Sequence, residues 1–343
     1  MADTYVGAKF PQKIVEQIFG EIFLEAPTLA NNLVNINDGF KDKAEVTETI
    51  TEVSMKPYSV DGVTMDGSGS NHDLYATQVV LNKFQFDGKV PYNHLLGTRF
   101  EKSIKAGAMN FVSEEYKQKV LINIKPAIGA GIEKAIWNGA TTAQKTAIAG
   151  LTAGAGQGLI TAGAKTLVAS MPTNEFNSIP STILYNISNG KTVPGAGLGD
   201  YRKVLSPTTI TAANIAAEYL KLYTTHFDAV PQSSTTIHKI FAPLQDKALM
   251  VSANKGATTV NPDFVEVNGN FTYNGYEVVF VPLVGFRIMC DPNFLMFLTD
   301  LSSDAQSMEM ERGINLADYE VWKSVMYAET FPVNQRYITV YNG

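Results

Sequence analysis

Ten apolar or aromatic residues recur at every fourth position from Phe100 to Ile136: Phe100, Ile104, Ala108, Val112, Tyr116, Val120, Ile124, Ile128, Ile132 and Ile136. Spacing of four keeps side chains on one face of a helix, so the run predicts a long helix over 98–138 with a continuous apolar ridge. Unbroken, it would reach roughly 60 Å at about 1.5 Å per residue. Ser103, Lys105, Glu114, Glu115, Lys117 and Lys119 supply the polar faces between. Pro126 lacks an amide hydrogen and crowds the turn before it, so a kink or a break is expected there. Asn138-Gly139 supplies the stop.

A second constraint lies upstream. Residues 46–56, VTETITEVSMK, alternate strictly. Val46, Glu48, Ile50 and Glu52 share one face; Thr47, Thr49, Thr51 and Val53 share the other. The alternation predicts a strand. A sheet packed on a core has one apolar side, and neither face here is wholly apolar. Residues 61–73, DGVTMDGSGSNHD, supply a turn, and 76–90 return as a second strand. The two make a long hairpin arm, marginal alone in water. It is expected to find its seat on another molecule.

The remaining pattern is mixed. Residues 11–25 carry two rows at spacing four, Ile14-Ile18-Ile22 and Val15-Phe19-Phe23, and predict an amphipathic helix ending before Pro27. Residues 28–45 read as irregular, and 140–200 as a connection rich in glycine and alanine. A helix is expected over 210–227 with Thr211 as its cap, and another over 244–254. Strands are expected at 238–243, 271–283 with an Asn-Gly turn, 293–301, 307–313, 321–331 and 337–341. Helices and strands alternate without a βαβ rhythm, which predicts the α+β class. No internal repeat is legible.

Composition narrows function. The 343 residues allow two domains or one with large excursions. No run of eighteen apolar residues exists, so no bilayer-spanning helix is expected. The first residues lack the basic-then-apolar order of a signal peptide. One cysteine, Cys290, rules out an internal disulfide framework and a cysteine-ligated zinc cluster. A net charge of -6 argues against wrapping nucleic acid through phosphate neutralisation. Charged residues make up only 17%, which fits a chain that buries much of its surface against copies of itself. It also fits an ordinary β-rich protein.

The stretch GAGQGLITAGAKT, 154–166, resembles a phosphate-binding loop, which requires Gly-x-x-x-x-Gly-Lys-Ser/Thr. Gly158 and Gly163 have the spacing, but Ala164 intervenes and Lys165 comes one residue late. One residue is a rotation of about 100° in a helical turn, which would aim Lys165 away from the phosphates. No β-branched strand precedes Gly158. Asp300, closing LMFLTD, would be the partner aspartate, but such runs serve equally as core strands. PGAGLGD, 194–200, reads as a loop. His72, His94, His226 and His238 are scattered and form no metal-binding motif. Glu309 and Glu311 share one strand face and read as solvated. No catalytic, cofactor-binding or metal-ligating residue is therefore assigned.

The order of parts is more telling than any motif. An amphipathic N-terminal segment, a projecting two-stranded arm, a long helix, a glycine-rich connection and a mixed region follow one another. This order resembles the major capsid (head) protein of tailed bacteriophages, the Hong Kong 97-type fold. KFQFDGKVPYNHLLGTRF, 83–100, is similar to that family's passage from the extended arm to the spine helix. GIEKAIWNGATTAQ, 131–144, is similar to the end of the spine and its glycine-rich exit. FTYNGYEVVFVPLVGF, 271–286, resembles an axial-domain segment, and the closing FPVNQRYITVYNG resembles the last strands.

The resemblance implies an N-terminal arm over 1–45 and an extended loop over 46–92. It implies a peripheral domain of 93–145 and 303–333 holding the spine helix 98–138, and an axial domain of 146–302 and 334–343. It further implies a non-enzymatic subunit that self-assembles into hexamers and pentamers of an icosahedral shell around double-stranded DNA. Expected partners are copies of itself, a portal, a separate scaffolding protein, decoration proteins and non-specifically contacted DNA. Assembly is expected in the host cytoplasm. Met1 and the short segment ahead of the arm leave little room for a fused scaffold, so only minor processing is expected. Ile14, Ile18, Phe19, Met55, Tyr58, Met65, Tyr75 and Phe84 are the expected inter-subunit contacts. An encapsulin compartment of the same fold, and a nucleotide-binding enzyme using 158–166, are the alternatives.

Overall fold

The structure is a computed structural model that describes residues 8–9, 25–40, 42–53, 70–91, 114–154, 159–188, 202–204, 207–228, 238–256, 264–267, 269–300, 309–312 and 319–342. The expected helix over 11–25 and the first part of the long helix, up to 113, fall almost wholly outside these residues. The helices are α1 (Pro27–Ala30), α2 (Glu114–Trp137), α3 (Thr142–Gly150), α4 (Ala162–Ser170), α5 (Ile179–Ser188), α6 (Ile215–Phe227) and α7 (Leu244–Gly256). The strands are β1 (Ala8–Lys9), β2 (Asn35–Asn37), β3 (Lys43–Val53), β4 (Ser70–Val80), β5 (Asn82–Pro91), β6 (Arg202–Lys203), β7 (Lys239–Pro243) and β8 (Phe264–Val267). They continue with β9 (Asn270–Tyr273), β10 (Tyr276–Val281), β11 (Arg287–Cys290), β12 (Leu295–Thr299), β13 (Glu309–Arg312), β14 (Tyr319–Pro332) and β15 (Thr339–Tyr341).

The ridge of α2 behaves as its spacing dictates: Ile124, Ile128, Ile132 and Ile136 are all buried. Each such side chain contributes about 1.5–3 kcal/mol on burial. The helix runs through Pro126 without the expected break. Pro126 and Ile122 lie on the exposed side. The carbonyl that proline deprives of a partner therefore faces solvent, where water can serve it. The helix ends at Trp137 as expected, and Gly139 takes φ +147°. A Cβ there would meet the Asn174 side chain at 1.8 Å. The Trp137 indole N–H donates to Thr28 Oγ1 at 2.6 Å, and the Thr28 hydroxyl donates to Glu133 Oε1 at 2.6 Å. This relay pins α1 to α2.

Two sheets share one core. In the first, β14 is the trunk. One edge pairs antiparallel with β5, from Tyr319↔Pro91 to Ala328↔Asn82. The other edge takes β13, then β12. β2 lies parallel on β12, and β1 antiparallel on β13. The second sheet has seven strands in the order β6-β15-β11-β7-β10-β9-β8. Its β9–β10 hairpin turns on Asn274 (φ +47°) and Gly275 (φ +85°). Positive φ at both positions matches strand twist, which is why Asn-Gly is favoured there. A single apolar cluster joins the α2 ridge to α5 through Ile179 and Ile183. It reaches the first sheet through Phe297 and Met326 and the second through Phe241, Ile288 and Val340.

Two expectations are corrected here. The glycine- and alanine-rich connection contains three helices, α3, α4 and α5. Thr141 and Thr161 cap the first two, their hydroxyls accepting from Gln144 N and Ala164 N at 3.1 Å each. Helix α6 begins at Ile215, not near 210, with Asn214 at the cap position. Asn214 Oδ1 accepts from Thr211 N at 2.7 Å, so Thr211 stabilises the entering turn instead.

Candidate assembly surface

β3 and β4 form a two-stranded sheet of their own, with eleven consecutive pairs from Lys43↔Val80 to Val53↔Ser70. At about 3.3 Å per residue the ribbon is roughly 35 Å long. Among the described residues no third strand joins it. Its root is seated on its own subunit: Ala44, Val46, Val79 and Leu81 are buried with Leu298 and Val333. The residues in step with Ala44 and Val46 farther out are Glu48, Ile50 and Glu52.

The arm differs from expectation in extent. β4 starts at Ser70, inside the stretch read as a turn, because the ladder with β3 overrides local turn preference. The returning strand then divides at Leu81, whose N–H donates to Asp42 O at 2.9 Å. Beyond that point β5 leaves the arm and joins β14. Residues 82–91 therefore belong to the first sheet, and the ribbon is 43–53 with 70–80. Similarly β12, placed by sequence with the axial part, pairs with β14 in the first sheet.

Of the expected contact residues, Ile14, Ile18, Phe19, Met55, Tyr58 and Met65 lie outside the described residues. Tyr75 stands on the ribbon opposite Glu48. Phe84 is a correction. It is 8% exposed and packs on Phe86 and Phe176, with ring centroids 5.5 and 5.6 Å away. It sits in the chain's own core because β5 turns that side of the strand inward onto Phe176, in the turn before α5, which in turn packs on Phe297 of β12.

A groove of about 580 Å³ runs between α1, the end of α2 and the loop after β10. Glu25, Pro27, Glu133, Lys134, Leu244 and Val284 are among its lining residues. Its lining contains no histidine, cysteine, serine or threonine, so it offers no hydroxyl, thiol or imidazole.

The polar groups that are brought together serve packing. Lys165 lies in α4 and donates to Leu151 O at 2.7 Å, while Thr166 Oγ1 donates to Ala162 O at 3.1 Å. With its ammonium committed to a carbonyl and Thr161 capping the helix, 159–166 does not present a phosphate cradle. Asp300 accepts from Tyr327 N at 3.0 Å and so braces β14. Glu309 and Glu311 stand opposite Lys323 and Val321 in the β13–β14 ladder.

His226 and His238, scattered in sequence, meet in the core. His226 Nε2 lies 3.3 Å from His238 Nδ1, and its Nδ1 lies 2.9 Å from Thr339 Oγ1. Burial, then repulsion from His238, lowers the His226 pKa to about 3. Arg287 grips Asp246 through Nε and Nη2 at 2.8 and 2.7 Å, and Tyr219 donates its hydroxyl to the same carboxylate at 2.7 Å. Glu218 accepts from Lys221 at 2.7 Å, from Tyr341 at 2.5 Å and from Thr208 at 2.8 Å. Burial opposes its charge, but these bonds prevail and hold its pKa at about 2. These groups come together through the folded contacts of α6, α7, β11 and β15 with the start of β7 and the segment before α6. None borders the groove. Among the described residues no cluster of three histidine, cysteine or acidic side chains is placed to hold a metal. Among them, too, no helix is long and apolar enough to cross a membrane.

A projecting ribbon, a long ridge helix and two sheets on one core define the Hong Kong 97-type capsid fold. Comparison with solved structures places particular shells beside it. A chain of the satellite phage P4 procapsid, which includes the size determination (Sid) protein, superposes with a TM-score of 0.57 at 11% identity, covering 99% of this chain and 93% of that one. A chain of the cyanophage A-1(L) capsid asymmetric unit gives 0.51 at 10% identity, covering 100% and 96%. A chain of the holo-SrpI encapsulin complex from Synechococcus elongatus gives 0.46 at 10% identity, covering 92% and 87%. No protein-family model and no curated protein sequence matches.

Proposed function

We propose that the chain is the major capsid protein of a tailed bacteriophage. It assembles with copies of itself, as hexamers and pentamers, into an icosahedral head around double-stranded DNA. The observation that supports this most directly is the ribbon 43–53/70–80, which no third strand joins among the described residues and whose root is seated on a body that shares its fold with the P4 procapsid chain. Two strands alone are marginal, and a neighbouring subunit supplies the missing surface. The first sheet with α2 forms the peripheral domain and the second sheet the axial domain. Tyr75 on the ribbon, together with Ile14, Ile18, Phe19, Met55, Tyr58 and Met65, makes the contacts between copies.

The subunit does no catalysis. A net charge of -6 leaves DNA held loosely enough to be released. A portal, a separate scaffolding protein and decoration proteins complete the particle, which forms in the host cytoplasm. Electron microscopy of the purified protein, alone and co-expressed with a scaffold candidate from the same genome, tests this reading. Capsomers or closed shells are the expected result. A monomer that persists at high concentration, with residues 43–80 resistant to protease, would refute it.

A further inference from the structure

The resemblance of 154–166 to a phosphate loop has another origin. Aligning 140–153, ATTAQKTAIAGLTA, with 160–173, ITAGAKTLVASMPT, matches Thr141 with Thr161, Lys145 with Lys165, Thr146 with Thr166 and Ala149 with Ala169. Ile148 meets Val168 and Leu151 meets Met171. The offset is constant at twenty residues. Four identities in so short a stretch carry little alone, but the folded contacts repeat with the same offset.

Each unit opens with a threonine that caps its helix three residues on. In each, the second threonine donates back one turn, Thr146 to Thr142 O and Thr166 to Ala162 O. The units then exchange contacts. Lys145 Nζ donates to Met171 O at the end of α4, and Lys165 Nζ donates to Leu151 O at the end of α3. Asn174 N donates to Ala140 O at 3.1 Å, and its counterpart Gly154 N donates to Ile160 O at 2.8 Å. Parallel bridges join Ala140 to Thr173 and Ile160 to Ala153. Even the tight approaches correspond: a Cβ on Gly139 would strike the Asn174 side chain, and one on Gly154 would strike Leu159.

We infer that 140–153 and 160–173 are two copies of one helical unit, folded into a pseudo-two-fold clasp in which each copy's lysine closes the other copy's helix. The lysines are the only charged residues in the two units. A cation at a helix C-terminus satisfies carbonyls that lack intrahelical partners and complements the helix dipole. That explains why lysine stands at the same position in both, half-buried, on helices that carry no other charge. The first copy lacks Gly158 and Gly163 equivalents, having Asn138 and Ala143 instead. The glycines that imitate a phosphate loop are thus incidental to the repeated Thr-x-x-x-Lys-Thr pattern. The clasp fastens the end of α2 through Ala140. It also holds the chain's last strand region, where Asn342 Nδ2 donates to Thr161 Oγ1 at 3.3 Å.

Hydrogen exchange on the full chain, read by peptide, tests the exchange of partners. Lys145→Met should speed exchange about tenfold in 166–173, the other unit, and Lys165→Met should do so in 146–153, as loss of one net hydrogen bond implies. Lys145→Arg and Lys165→Arg, which keep a cationic donor, should retain most of the protection. Faster exchange confined to the mutated unit, or spread evenly over both, would overturn the inference. Should a methionine variant not fold, Lys→Gln at the same position reads the same crossed pattern at smaller amplitude, and its absence there is equally decisive.

Discussion

Glu329→Gln probes the burial of an acid between the root of the arm, the trunk strand β14 and the turn before α5. The Glu329 carboxyl accepts from Asn82 Nδ2 at 2.6 Å, from Asn177 N at 3.1 Å and from Thr330 N at 3.2 Å. None of these donors is a cation, and the residue is 5% exposed. Burial therefore outweighs the hydrogen bonds and raises the pKa from 4.5 to about 8. The sign follows from proton linkage. As pH rises, the unfolded chain releases this proton first, so the contribution is full below 4.5 and is lost progressively up to about 8. At about 1.4 kcal/mol per pH unit the loss across that window is about 5 kcal/mol. Glutamine cannot ionise, and the Asn82 amide can turn to present its oxygen to the new N–H₂. Urea denaturation of the unassembled subunit should show variant and wild type close at about pH 5. The variant should lead by several kcal/mol at about pH 9. Parallel stability curves over that range would refute the reasoning, for they would mean that the carboxylate is accommodated as an ion.

Other perturbations follow from the same core. The depressed His226 pKa means that the unfolded chain takes up a proton from 6.5 downward while the folded chain resists until about 3. Stability should therefore fall with acid through that window, and His226→Gln should flatten the acid limb in the same urea series. Between 4.5 and 6.5 the Glu329 slope opposes that of His226, to which the lowered His238 pKa adds. Arg287→Met strands the buried Asp246 carboxylate and should lower stability by about 3–5 kcal/mol. Adding Asp246→Leu should recover much of that loss in thermal melts, whereas additive losses would show that the pair is not the relevant unit.

Local periodicity and turn chemistry are legible in the sequence. The fourfold spacing of Ile124, Ile128, Ile132 and Ile136 and the Asn274-Gly275 turn are properties of adjacent residues that the folded chain keeps, and of the alternation over 46–56 the part 46–53 lies in β3. The helices α3 and α4 are hidden because nine-residue segments rich in alanine, glycine and threonine, with one or two large apolar side chains each, carry a weak apolar period. Their capping threonines and twenty-residue offset are present in the sequence, but four identities do not read as a repeat until the folded contacts repeat with them. The start of β4 at Ser70 was masked by turn-forming residues that a long ladder overrules.

The residue pattern by itself determined where a helix or strand face must be apolar, because periodicity is a property of one element. It also determined the sequence of parts that the capsid fold arranges. Tertiary structure alone decided that β5 abandons the ribbon for β14, that Phe84 turns inward, that Lys165 closes a neighbouring helix and that His226 meets His238. Each of those outcomes depends on which distant segment supplies the partner, and hydrophobic burial and hydrogen-bond satisfaction settle that choice only when the whole chain packs.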